Sequence, residues 1–171
     1  MANTGRKQCE NWIPALLVAL LLGVGLHELF RLWPSIVTEF LSPVNESIWE
    51  HIKVVFWPLL LVELGCYTAE HRPQGLLALF LSCTGMLAAG WLYHIVFGGS
   101  ALWVDLLIYG VCIFAYFLIS EAQWAKNAPL PLMRLLTAGL IALIVLFTLS
   151  PPHGVLFSEV QLASAWMLRL C

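Results

Sequence analysis

Charge is what this sequence has least of. Lys and Arg number 8 and Asp and Glu 10 among 171 residues, 11% in all, while 61% of residues are hydrophobic. A soluble domain carries about 25% charged and about 45–50% apolar residues. A chain of this size has too much surface to hide the excess. A soluble enzyme and a disordered chain are therefore excluded. With a net charge of −2 there is no basic footprint for a phosphate backbone, so no nucleic-acid partner is expected. Cysteine is also sparse. Cys9, Cys66, Cys83, Cys112 and Cys171 are odd in number and share no spacing, which speaks against a disulfide framework or a zinc ribbon. No C-x-x-C-H occurs, so any haem would be held non-covalently. Internal repeats and low-complexity tracts are missing.

What is present is apolar sequence in span-length blocks. The mean hydropathy is +0.88. A bilayer core of about 30 Å needs about 20 apolar residues per helix. Residues 12–33, 51–70, 75–97, 101–120 and 131–149 meet that need. The expected fold is an all-α polytopic transmembrane bundle of five helices, one integral membrane domain over 1–171, with membrane lipids as its surroundings. A sixth apolar stretch, 155–170, carries Glu159 and Arg169. It reads as an interfacial or re-entrant helix, or as a sixth span. The first block follows Arg6 and Lys7 as a signal peptide would. It is full span length, contains His27 and Glu28, and ends without an A-x-A-like site, so a retained helix is expected. Alternating topology places Arg6, Lys7, Arg72, Lys126 and Arg134 on one side and Arg31, Lys53 and Arg169 on the other. That bias favours a cytoplasmic N-terminus.

Ionisable residues within a membrane are costly and mark functional sites. His27 lies near the end of the first block, His51 and Lys53 open the second, and His94 ends the third. Asp105 opens the fourth, and His153 follows the fifth. Under alternating topology all of these share one membrane face, and only the fifth histidine, His71, does not. A common polar site follows. His94 and Asp105 flank the turn G-G-S at 98–100, so a carboxylate can orient a histidine there.

The densest polar segment is S-P-V-N-E-S-I-W-E-H-I-K, Ser42 to Lys53. Ser42 and Pro43 suit an N-cap and first helical position, and Asn45 offers a second start. In a helix, Glu46, Glu50 and Lys53 would share a stripe, and His51 would point about 140° away from Glu46.

This stretch is similar to the signature of a family of small multi-pass bacterial membrane proteins of unknown function, S-P-V-N-E-S-x-W-E-H-x-K. The similarity covers most of the chain, including W-L-Y-H, D-L-L-I-Y and the P-P-H turn. It implies a bacterial cytoplasmic membrane and brings no activity. The order Ile48-Trp49-Glu50-His51, then Trp91-Leu92-Tyr93-His94, then Asp105 also resembles the alkaline ceramidases and progestin/adiponectin-type receptors, membrane zinc hydrolases and receptors. That resemblance implies His94 as a zinc ligand. Gly90 stands where that superfamily has a serine, and its late H-x-x-x-H is missing. His51, His27 or His153 would have to supply the other ligands.

The resulting expectation is a zinc-dependent membrane hydrolase acting on a lipid or amphiphile. His27, His51, His94 and His153 are the candidate metal ligands. Glu46, Glu50, Lys53 and Asp105 are the candidate catalytic groups. Asp105 or Glu46 would be the base, and Lys53 would attract a phosphate head group or polarise a carbonyl. The alternatives are a proton or cation transporter using Glu63, and a haem or quinone protein.

Overall fold

The computed structural model describes residues 12–66 and 72–160. They form six α-helices: α1 (Trp12–Leu32), α2 (Ile36–Leu41), α3 (Ile52–Cys66), α4 (Arg72–Trp91), α5 (Leu102–Ser120) and α6 (Leu130–Leu149). A π-helical turn, Leu92–Val96, extends α4, and a 3-10 helix, Gln123–Asn127, precedes α6. Among the described residues there is no strand, only an isolated bridge between Ser47 and Glu159. The chain is an all-α bundle of membrane type. Four helices are long and apolar enough to cross a bilayer: Trp12–Leu32, Pro73–Val96, Leu102–Ser120 and Leu130–Leu149.

The helices follow the apolar blocks because a continuous run without turn residues satisfies its backbone only as a helix in lipid. Leu21, Leu61, Leu107, Leu118 and Leu135 are exposed, as residues that face lipid must be. The core lies between α3, α4 and α5, with Phe56, Leu59, Leu79, Ile113 and Tyr116 buried. α1 packs on α3 and α5, and α6 packs on α4. The second block is shorter than expected in its described part. α3 covers 52–66, with Pro58 inside it, and is not one of the four long apolar helices.

Two expectations are corrected. Ser42 does not begin a helix. It is the C-cap of α2, a short helix with a Ser35 capping box, and its N–H donates to the Thr38 carbonyl. Residues 43–51 are turns, and α3 starts only at Ile52. The described part of the sixth stretch, 155–160, is turn and bend up to the bridge at Glu159, with only Val160 helical, and the remainder lies outside the described residues. His71 and Arg169 also lie outside them.

Candidate metal centre

The Ser42–Lys53 segment is a loop because its polar side chains bond its own backbone, which competes with helix formation. Asn45 accepts from the Ser47 N–H at 3.1 Å, and the Ser47 hydroxyl accepts from the Glu50 N–H at 3.3 Å. Glu50 accepts from the Val44 N–H at 2.8 Å and pairs with Lys53 at 2.6 Å. The Lys53 ammonium also donates to the carbonyls of Glu39, at 2.9 Å, and Ser42, at 3.4 Å. Lys53 is fully buried and Glu50 nearly so. A buried charge must be paired and hydrogen-bonded to survive. This clasp ties the end of α2, the loop and the start of α3 together. Trp49 fills the space behind the loop, edge-on to Phe147 at 5.0 Å. The segment before α3 is further fastened by residues 156–160: Trp49 donates to the Leu156 carbonyl, and Val160 to that of Glu46.

The loop delivers Glu46 and His51 to His27 of α1. The Glu46 carboxylate lies 3.6 Å from His27 Nε2 and 3.4 Å from His51 Nε2, and the two rings are 5.4 Å apart. One ligand atom from each of the three residues falls within 4.8 Å of the others. The expected 140° separation of Glu46 and His51 is absent because the backbone between them is not helical. Hydrogen bonding from His27, and then from His51, holds the Glu46 carboxyl well below the usual carboxylate range. It is therefore an anion at neutral pH.

The far nitrogens of both histidines are committed. His51 Nδ1 donates to the Ser47 carbonyl at 2.8 Å, and His27 Nδ1 faces Glu28 Oε1 at 3.3 Å. Glu28 in turn pairs with Arg31 at 2.5 Å. A carbonyl only accepts, so His51 donates from Nδ1, and Nε2 is the atom that faces Glu46. A histidine backed by a carbonyl or carboxylate is the usual state of a metal ligand.

These groups line a cavity of about 560 Å³ between α1, the loop, α4 and α5. His94 and Asp105 line it as well. The Nε2 of His94 is 2.9 Å from Asp105 Oδ1, and its Nδ1 donates to the Gly99 carbonyl at 2.9 Å. Two features set this geometry. The π-turn re-aims His94, as such turns do at functional sites. Gly98, with φ of 66°, lets the chain reverse so that the Gly99 carbonyl faces back.

Of the residues expected at the site, His27, Glu46, His51, His94 and Asp105 share one cavity. Glu50 and Lys53 do not line it; they form the clasp behind it. His153 lies in an exposed bend and does not line it either. Both ring nitrogens of His94 lie 2.9 Å from an oxygen, closer than the Nε2 atoms of His27 and His51 lie to Glu46. Glu28, Ser47 and Tyr109 were not expected there. Only their contacts reveal them, although the adjacency of Glu28 to His27 was a signal.

No curated protein and no solved structure matches the chain. The resemblance to the ceramidases and receptors therefore rests on residue order alone. The family model described as a family of unknown function (DUF6512) matches residues 1–163, and the chain belongs to that family.

Proposed function

We propose that this protein is a metal-dependent membrane hydrolase. His27, Glu46 and His51 hold a divalent transition-metal ion, and a lipid or other amphiphile is the substrate. One observation carries the reading. Three potential ligand atoms lie within 4.8 Å of one another, while the other nitrogen of each histidine is already directed at an oxygen. Such a set repels itself unless a cation or protons sit within it. Ligand atoms around a tetrahedral zinc at about 2.0–2.1 Å stand about 3.3–3.4 Å apart, close to the 3.4 and 3.6 Å observed. A charge-assisted hydrogen bond would be about 2.7–2.9 Å long, as His94–Asp105 is.

Two imidazoles and a carboxylate suit zinc and leave a fourth position open. An ion held there supplies Lewis-acid activation of water at neutral pH. The chain's own part is divided among these residues. Glu28 and the Ser47 carbonyl orient the two histidines. His94 and Asp105 hold a proton in the same cavity, ready for a leaving group. The Glu50–Lys53 clasp keeps the loop in place. With a cytoplasmic N-terminus, the site faces the opposite side of the membrane.

Elemental analysis of detergent-purified protein, prepared without chelator, tests the reading. One zinc or other transition metal per chain is expected, and it should be lost in His27→Ala and in His51→Ala. Metal-free wild type, or metal unaffected by both substitutions, would overturn it.

A further inference from the structure

The cavity has a polar end and an apolar end, stacked along the helices. On α1, His27 stands one turn beyond Gly23 and Val24. On the antiparallel α5, Asp105 stands one turn above Tyr109. The floor is closed. The Tyr109 hydroxyl packs against Gly23 and donates to the carbonyls of Ala19 and Leu20, both at 3.1 Å. The side is open. Val24 and Leu106, wall residues between the floor and the histidines, are 52% and 53% exposed on helix faces that lipid would cover.

The charge of the wall narrows the ligand further. Its charged groups are histidines and carboxylates, with no Lys or Arg among them. The nearby cations are already engaged, Arg31 by Glu28 and Lys53 by Glu50. Phosphate recognition relies on such cations. The volume fits a small ligand, and the half-exposed Val24 and Leu106 mark where the cavity wall meets the lipid-facing surface.

We infer that the substrate is a single-chain amphiphile whose head carries no anionic group, and whose chain leaves the cavity sideways into the bilayer between Val24 and Leu106. The metallohydrolase reading supplies only the fate of the head; the slot itself is a matter of binding.

Photolabelling of the full chain in zwitterionic-lipid nanodiscs tests this. The probe is a monoacylglycerol with a diazirine in its acyl chain near the head. Adducts should concentrate on residues 23–27 and 102–109. Excess plain monoacylglycerol should displace the probe, and an alkyl phosphate of the same chain length should not. Leu106→Trp should reduce adducts at Val24 about tenfold. Leu107→Trp, at an equally exposed α5 position outside the cavity wall, should leave them unchanged. Adducts spread over all apolar helix faces, or equal displacement by the alkyl phosphate, would overturn the inference. Repeating the labelling on chelated protein separates the two readings. Labelling of the slot without metal sustains this inference, and metal-free wild type overturns only the metallohydrolase.

Discussion

The Nε2 of His94 and Oδ1 of Asp105 lie 2.9 Å apart, while His94 Nδ1 donates to the Gly99 carbonyl. The Nδ1 proton is fixed by that carbonyl, which can only accept. Nε2 is left facing the carboxylate, so both ring nitrogens of His94 are directed at oxygens. His51 has the same backbone anchor through Ser47, but its Nε2 stands 3.4 Å from Glu46. Two His–carboxylate pairs in one cavity thus differ in how closely histidine and carboxylate approach.

The first prediction follows directly. His94→Ala should leave the metal content of the purified protein at the wild-type level, whereas His51→Ala should abolish it. Metal analysis of the two variants side by side decides this. Loss of metal in His94→Ala would mean that His94 turns away from Asp105 to ligate.

Glu28 orients His27 from behind. Replacing such a partner lowers metal affinity by about 10–100-fold. Glu28→Ala should show that loss in a competition titration against a chromophoric chelator, with metal still bound at saturation. Unchanged affinity would remove Glu28 from the site.

Lys53 and Glu50 are paired out of water. Removing one partner of a buried pair costs about 3–5 kcal/mol, and replacing both is often nearly neutral. Lys53→Met should therefore be strongly destabilised in SDS-induced unfolding, and Lys53→Met with Glu50→Leu should recover much of the loss. A single variant as stable as wild type would show that the clasp does not hold the loop.

Gly23 is pressed against Tyr109, and an added Cβ would also meet the Val54 carbonyl, which is backbone and cannot step aside. Gly23→Ala should cost about 1–3 kcal/mol from overpacking. Gly25→Ala, where nothing stands within 4 Å, should be neutral or stabilising by up to about 1 kcal/mol. The same unfolding assay compares them. Equal behaviour of the two would deny the close approach of α1 and α5.

Much of the fold was legible in the sequence. The first, third, fourth and fifth apolar blocks became α1, α4 with its π-turn, α5 and α6, nearly residue for residue. Grouping polar residues by membrane face brought together His27, His51, His94 and Asp105, which line one cavity, but also Lys53 and His153, which do not line it. Helical spacing failed between Ser42 and His51, since side chains there bond their own backbone. No periodicity could then place Glu46 beside His51, although the i,i+3 spacing of Glu50 and Lys53 did put those two on one stripe, and they pair.

Composition by itself determined that the chain belongs in a bilayer, because 61% apolar residues and 11% charge leave no other solvent for its surface. It also determined the long helices, because lipid offers no partner to an unpaired backbone. Which polar groups converge on one cavity, which face each other in pairs and which clasp a loop was decided only by tertiary structure. Those roles depend on the ring nitrogens and carboxylate oxygens that face each other, and on distances of a few ångströms between α1, α4, α5 and a loop far apart in the chain.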